Sequence, residues 1–314
     1  MQAKKVIPVI LDTDIGTDID DSWALAFLLA SPELELKLCT LSSGNTRYRA
    51  QIAWRILHLA GRSEVPLALG RDDGKEYDYT LRSYLERHGE LELEVLHDAA
   101  AAIVEMVNRS AEKVTVIAIG PLTNLADALK LDPAIAGKID LVAMAGSWEY
   151  GHDHVKGKIA EYNIVKDVAA AQAVFAAPWN SFKLTPLDSC GQVRISRSDC
   201  DMLKGCSAVM REVVESNREW FHAWFDEEFP NNESSIMFDA VAVYLAWSTE
   251  YLQMQTLNLR CSEAGMLEAS PEGAKVSVAV DWHNLDGFKK LFVKRLANSN
   301  CCCNKLSNCL IKNN

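Results

Sequence analysis

Near its N-terminus the sequence reads VIPVIL at residues 6–11 and, directly after it, DTDIGTDIDD at residues 12–21. The apolar run predicts a buried strand, and the apolar residues from Trp23 onward predict a helix. Five aspartates therefore lie between a strand and a helix, where they repel one another unless a cation or raised pKa values offset the charge. Capping and dipole effects at a helix N-terminus account for two aspartates but not for five. The pattern predicts a site for a hard divalent cation, Ca²⁺ or Mg²⁺.

Length and charge restrict the class of protein. The chain has 314 residues, of which 49% are hydrophobic, enough for a large core. The formal net charge of -11 and the pI near 5.2 argue against a nucleic acid partner, but not against a nucleoside, which lacks phosphates. No apolar stretch reaches the roughly 18 residues that span a bilayer, and no signal peptide is evident, so we expect a cytoplasmic protein without a membrane partner.

Strand-like and helix-like segments alternate along the chain. The predicted strands are residues 6–11, 36–41, 66–69, 114–119, 141–145, 251–258 and 275–280. The predicted helices are residues 23–30, 49–60, 99–109, 124–131, 207–229, 239–248 and 285–296. Apolar strands that alternate with helices predict an α/β fold with an open, mostly parallel sheet and helices on both faces. We expect one domain over residues 1–296 and a disordered, Cys- and Asn-rich tail over residues 297–314.

Several ordered blocks give the chain a family resemblance. They are VILDTDIGTDIDDSWALAFLLASPELEL at the start, SSGNT (42–46), IGPLTNLADAL (119–129), MAGSW (144–148), AEYNIVKDVAAAQAVF (160–175), FDAVAVYLA (238–246) and VAVDWHNLDGF near the end. On these blocks the chain resembles the inosine–uridine-preferring nucleoside hydrolases. The resemblance implies a Rossmann-like sheet and Ca²⁺-dependent hydrolysis of the N-glycosidic bond of ribonucleosides, as in purine and pyrimidine salvage. It also implies an N-ribohydrolase that we expect to be a homo-oligomer, a dimer or tetramer.

The resemblance also assigns roles to individual residues. Asp14 looks like the carboxylate that binds the metal and takes the proton from the attacking water. The remaining metal ligands would be Asp21, Asp239 and the backbone carbonyl of Ile119. The ribose hydroxyls would be held by Asp20 and Asn45 at the 2′ position, by Glu161 at the 5′ position and by Asn163 at the 3′ position. These roles fit the chemistry, because cleavage passes through an oxocarbenium-like ribosyl cation that needs nearby negative charge.

Three departures from the family pattern leave alternatives open. The common motif DxDxGxDD is two residues longer here, so either Asp18 or Asp20 contacts the sugar. An additional asparagine expected upstream of AEYN is not evident. Phe238 stands where many members have a histidine that can protonate the leaving base. A replacement acid would be His222, His152 or His154; alternatively, Trp220 or Trp224 would stack on the base and ease its departure.

Two other classes compete with the hydrolase. A ribosyl-binding or regulatory protein that retains the calcium site but has little or no activity is favoured by Phe238 and disfavoured by the full set of sugar and metal residues. A metal-dependent phosphohydrolase would need a lysine or Ser/Thr block placed to bind phosphate, and the sequence shows none. Release of free ribose from nucleosides separates these classes.

Overall fold

A computed structural model of the protein describes residues 6–299, with the exception of residues 73, 75–78, 82–84, 87, 90, 226 and 227. A nine-stranded sheet in these residues has the order β3-β2-β1-β4-β5-β6-β9-β7-β8. Strands β1 to β6 and β9 run parallel, whereas β7 pairs antiparallel with β8 and β9. The strands are β1 (Ile7–Thr13), β2 (Leu34–Leu41), β3 (Leu67–Leu69), β4 (Val114–Ala118), β5 (Ile139–Met144), β6 (Ser181–Thr185), β7 (Leu252–Cys261), β8 (Leu267–Ala269) and β9 (Ala274–Trp282).

Helices cover both faces of this sheet. Along β1, Val9 and Leu11 belong to one buried apolar cluster and Ile10 to another, as expected for a strand whose successive side chains point to opposite faces. None of the helices in the described part of the chain is long and apolar enough to cross a membrane. The α-helices in the described ranges are α1 (Asp20–Leu29), α2 (Thr46–Leu59), α3 (Ala99–Arg109), α4 (Thr123–Leu131), α5 (Tyr162–Lys166), α6 (Val168–Ala176), α7 (Leu187–Cys190), α8 (Arg197–Lys204), α9 (Ala208–Phe225), α10 (Phe238–Trp247) and α11 (Leu285–Ala297).

The predicted α/β architecture is confirmed, and the differences from the predicted elements have local causes. The predicted helix over residues 207–229 is wrong at its end, because α9 reaches only Phe225 and Phe229 lies in a bend. Phe229 precedes Pro230, and a residue before proline disfavours helical backbone. Strands β6 and β8 were not predicted. The domain boundary stays a prediction: α11 ends at Ala297, and residues 300–314 of the predicted tail lie outside the described residues.

Two buried helices carry acidic residues to one end of the sheet. Asp20 and Asp21 begin α1, and Asp239 is in the first turn of α10. The two helices pack against each other, and nearly all of their residues are buried. A helix N-terminus favours negative charge, so both helices present their positive ends to the same aspartates. Strands β1 and β4 are neighbours, and their carboxyl ends lie where the sheet order reverses, the usual place for a ligand crevice in such sheets.

Candidate active site

A cavity of about 490 Å³ lies at this end of the sheet. Its walls come from the acidic loop after β1, the end of β4, the start of α5, helix α9 and the start of α10. Most of the residues predicted to form a site meet in it: Asp14, Asp18, Asp20, Asp21, Ile119, His152, Glu161, Asn163, Trp220, Trp224, Phe238 and Asp239. The described structure thus unites residues from opposite ends of the sequence.

Three carboxylates form a compact buried cluster in this cavity. Asp20, Asp21 and Asp239 each offer an oxygen within 4.8 Å of the others. Burial, followed by repulsion from neighbouring aspartates, raises the pKa of all three carboxyl groups well above the ordinary value. Oδ1 of Asp239 is buried and has no hydrogen-bond partner among the described residues. A hard cation with oxygen ligands fits this donor set, because it would offset the repulsion between the carboxylates and coordinate Oδ1 of Asp239.

Asp14 lies beside this cluster, and its position depends on Gly120. A Cβ atom on Gly120 would lie 2.8 Å from the Asp14 nitrogen and 2.9 Å from its Oδ1, so only glycine permits this approach of β4 to β1. Burial raises the pKa of the Asp14 carboxyl group, and the buried guanidinium of Arg49 opposes that shift. Asp14 is therefore a buried carboxyl group close to both acidic and basic charge, the environment in which proton-transfer groups are tuned.

Glu161 and Asn163 form a second wall of the cavity. Glu161 caps α5: its Oε1 accepts from the Asn163 backbone N–H at 2.7 Å, and its Oε2 accepts from the Gly146 N–H at 2.8 Å. Burial raises the pKa of Glu161 to about 7 in spite of these bonds. The Asn163 side chain donates from Nδ2 to the carbonyls of Ile119 at 3.0 Å and Met144 at 3.1 Å. Both side chains are thus held in place by backbone groups, as expected of preorganised binding residues.

The third wall is apolar and carries one histidine. His152 lines the cavity and meets the ring of Phe238 edge to face, with ring centroids 5.6 Å apart. Trp220 and Trp224 also line it, and Trp224 is 50% exposed. Such a wall can take a planar base against aromatic rings. Of the three histidines considered as a replacement acid, His152 is the one that lines the cavity.

Other predicted residues lie outside the cavity. Oδ1 of Asn45 accepts from the Tyr48 backbone N–H at 2.9 Å, so the side chain caps α2. His222 is exposed on α9, and His154 stacks on Tyr150 with centroids 3.9 Å apart. None of these three lines the cavity in the described part of the chain. Asp18 does line it, and burial raises the pKa of its carboxyl group to about 6, so Asp18 and Asp20 both remain candidates for the sugar contact.

Two cationic residues near the site were not predicted. The guanidinium of Arg49 is completely buried behind the acidic loop, and Lys166 lines the cavity with its ammonium 4.7 Å from the Tyr162 ring centroid. A sequence signal for Arg49 exists, because it lies three, four and seven positions before Ile52, Ala53 and Ile56 on the apolar face of α2. A cation on such a face points to a buried charge with dedicated partners. Lys166 has no comparable signal.

Comparison with known proteins agrees with the fold. The family model described as inosine-uridine preferring nucleoside hydrolase matches residues 9–290. The pyrimidine-specific ribonucleoside hydrolase RihA of Photobacterium profundum is 28% identical over 324 residues, which cover 93% of this chain and 99% of that protein. The non-specific ribonucleoside hydrolase RihC of Klebsiella pneumoniae (strain 342) is 38% identical over 183 residues, which cover 54% of this chain and 58% of that protein.

Solved structures show the same fold. A plant nucleoside hydrolase, the PpNRh1 enzyme, superposes with a TM-score of 0.75 at 21% identity, covering 95% of this chain and 99% of that one. The purine-preferring ribonucleoside hydrolase from Gardnerella vaginalis superposes with a TM-score of 0.73 at 22% identity, covering 93% and 98%. This chain belongs to the inosine–uridine-preferring nucleoside hydrolase family. The predicted family and the predicted enzyme class, an N-ribohydrolase, are both confirmed.

Proposed function

We propose that this protein hydrolyses unmodified ribonucleosides to ribose and free base in a calcium-dependent reaction. The observation that carries the proposal is the division of one cavity into a carboxylate cluster, a wall of fixed hydrogen-bonding side chains and an aromatic wall. These three parts match the cation, the ribose and the base of the proposed reaction. Function in nucleoside salvage, a cytoplasmic location and a homo-oligomeric state stay predictions.

Calcium would be held by Asp14, Asp21, Asp239 and the Ile119 carbonyl. Asp20, which lies within the carboxylate cluster, is close enough to join them, and six to eight oxygen ligands are usual for this ion. When bound, calcium would supply positive charge that offsets the buried carboxylates and polarises nearby oxygen atoms. The donor set consists of oxygen atoms, and histidine and cysteine take no part in the cluster among the described residues. That composition suits calcium better than zinc.

The protein groups would act in a single displacement by water. Asp14 would take a proton from the water while the water oxygen bonds to the ribose C1′ atom. The electron pair of the N-glycosidic bond would leave with the base. Asp20 or Asp18 would bind the 2′-hydroxyl, Asn163 the 3′-hydroxyl and Glu161 the 5′-hydroxyl; the Asn45 side chain caps α2 and would have to turn to reach the 2′-hydroxyl. Carboxylates beside the sugar would stabilise its developing positive charge. The base would lie against Trp220 and Trp224, and it would receive its proton from His152 or from solvent.

A ribose-release assay tests this proposal. Inosine, uridine, adenosine, guanosine and cytidine would each be incubated with the protein in Ca²⁺ and in EDTA. We expect reducing sugar from at least one nucleoside in Ca²⁺ and much less in EDTA. Asp14→Ala, purified in parallel, controls for a contaminating hydrolase. If no nucleoside yields ribose but calorimetry detects nucleoside binding, the ribosyl-binding alternative is correct and the hydrolase proposal is wrong for this chain.

A further inference from the structure

Four consecutive backbone carbonyls in the acidic loop accept hydrogen bonds from side chains. Arg49 donates from Nη1 to the carbonyls of Asp14 and Ile15, the latter at 3.1 Å. The Tyr48 hydroxyl donates to the Gly16 carbonyl at 3.0 Å, and the Thr80 hydroxyl donates to the Thr17 carbonyl at 2.8 Å. A loop whose every carbonyl from 14 to 17 is held by a side-chain donor cannot turn without breaking several hydrogen bonds.

Arg49 also connects this loop to the next strand end. Its Nε donates to the Ser43 carbonyl at 2.7 Å, and Ser43 has a φ of +71°, a left-handed conformation that is costly for a residue other than glycine. Its Nη1 donates to the Thr17 hydroxyl at 3.0 Å. One buried guanidinium thus fixes the turns after β1 and β2 at the same time. A planar group with several diverging donors can do this, whereas a lysine ammonium is a single point.

The segment before α3 completes the arrangement. The Tyr79 ring lies against Tyr48, with centroids 4.6 Å apart, and 5.8 Å from the Arg49 guanidinium carbon. The Tyr79 hydroxyl accepts from the Asn45 N–H at 2.7 Å, and Thr80 follows directly with its bond to the loop. Residues 79 and 80 therefore contact both α2 and the acidic loop.

Glycine at position 16 is required by the same packing. Gly16 has a φ of +109°, and a Cβ atom there would lie 2.6 Å from Cε1 of Tyr48 and 2.7 Å from Cδ1 of Ile52. The loop thus lies directly on α2, and its carbonyl oxygens point to the donors of Tyr48 and Arg49. The Asp14 side chain projects from this fixed backbone into the cavity.

We propose that Tyr48, Arg49 and Thr80 are positioning residues, a carbonyl clamp that holds residues 14–17 and so fixes where the Asp14 carboxylate lies. The inference rests on the proposed function, because it assigns the clamp to the hydrolytic site. None of these three side chains lines the cavity within the described ranges. Loss of the clamp should therefore lower kcat and calcium affinity while the KM for the nucleoside changes by less than about threefold, as for a step sensitive to geometry.

Tyr48→Phe and Thr80→Val test the clamp by removing one hydroxyl each. Ser31→Ala is the matched control, because the Ser31 hydroxyl donates to the Phe27 carbonyl at 2.8 Å, at the far end of α1. Arg49→Met removes the central donor, and its control is Arg55→Met, which removes a cation on the same helix that pairs with Glu212 at 3.4 Å. Arg49→Lys keeps the positive charge but removes the planar guanidinium, so it tests whether charge alone holds residues 14–17 in place.

Three measurements are compared on the purified, folded variants: amide hydrogen exchange of residues 12–22 without calcium, the calcium Kd by calorimetry, and kcat with KM. We expect faster exchange in that segment and a loss of about 10-fold in calcium affinity and kcat for Tyr48→Phe and Thr80→Val, with about 100-fold for Arg49→Met. Arg49→Lys should recover only part of that loss, and both controls should match the wild type.

The outcomes separate the clamp from the proposed function. Wild-type exchange, calcium Kd and kcat in Tyr48→Phe and Thr80→Val would overturn the clamp, even if Arg49→Met failed to fold. If Arg49→Met unfolds at a lower temperature but keeps the wild-type kcat and calcium Kd, Arg49 has a structural role and does not position Asp14. A wild-type protein that releases no ribose would refute the proposed function, whereas the hydrogen-exchange comparison would still report on the clamp.

Discussion

The buried carboxyl group of Glu161 should make the stability of the calcium-free protein depend on pH. Burial raises its pKa from the ordinary 4.5 to about 7, against the opposing effect of backbone N–H donors from Gly146, Asn163 and Ile164. The folded state therefore binds a proton that the unfolded state has released over this range. The resulting stability is fully present below pH 4.5 and is lost as the pH rises through about 7.

The size of the effect follows from these two pKa values. Linkage between 4.5 and about 7 gives a loss of about 2.5 kcal/mol in the free energy of unfolding between pH 5 and pH 8. Glu161→Gln cannot titrate, so the variant should lack this contribution. The amide also places N–H donors beside backbone N–H groups, which lowers the stability of the variant by the same amount at every pH. This cost shifts the stability difference between the two proteins by a constant and does not change how that difference depends on pH.

Urea unfolding in EDTA at pH 5, 6, 7 and 8 measures this difference. The wild type should be more stable than Glu161→Gln at pH 5, and this advantage should shrink by about 2.5 kcal/mol at pH 8. Glu105→Gln, at an exposed position on α3, controls for the amide exchange itself. An advantage that stays constant within about 0.5 kcal/mol over this range would refute the assignment of a buried, protonated Glu161.

The remaining predictions concern the cation, the sugar and the base. Asp239→Asn should lower calcium affinity at least about 10-fold in calorimetry and abolish ribose release, because it removes one charge of the buried cluster. 2′-Deoxyinosine should react about 10⁴-fold more slowly than inosine, because the buried groups that hold the 2′-hydroxyl would lose their partner. Since phenylalanine cannot donate a proton, p-nitrophenyl riboside should react much faster than inosine, and Phe238→His should raise the inosine rate about 10²-fold while barely changing the nitrophenyl rate.

Each of these predictions has a result that contradicts it. Wild-type calcium binding by Asp239→Asn would remove that residue from the ligand set. Similar rates for inosine and 2′-deoxyinosine would refute the diol contacts. For the base, His152→Ala and His222→Ala are compared: a slower inosine reaction in either variant, with an unchanged nitrophenyl rate, would identify a proton donor. Equal wild-type rates on both substrates, unaffected by either substitution, would show that another group assists the base.

The sheet was predictable from sequence where each strand is buried on both faces. Strand β1 and its acidic loop are an example, because an uninterrupted apolar run followed by charge is a local signal. Strand β6 was missed because its sequence is SFKLT: Lys183 interrupts the apolar pattern, and its ammonium donates to the Leu245 carbonyl at 3.1 Å. Strand β8 has three residues, too few for any periodicity.

The site was predictable as a set of residue types, but less so as a geometry. Asp21 and Asp239 are separated by most of the sequence, and their proximity could be inferred only from the family resemblance. Asn45 shows the limit of such reasoning, because the sequence pattern around an asparagine that caps a helix does not differ from that around one that binds a sugar. Its assignment to the 2′-hydroxyl stays a prediction. Arg49 could have been noticed, but most of its hydrogen-bond partners are backbone carbonyls, which carry no sequence signal.

The pairing of α1 with α10 at the carboxylate cluster has a consequence for how the protein folds. Contacts between residues so far apart in the chain form late and slow folding, because long loops must close first. During synthesis the aspartates of α1 emerge long before the helix that carries Asp239. A cation that needs both helices binds only after they have docked, so calcium should leave the folding rate nearly unchanged and slow the unfolding rate. The ion would thus protect the finished protein kinetically without guiding its assembly.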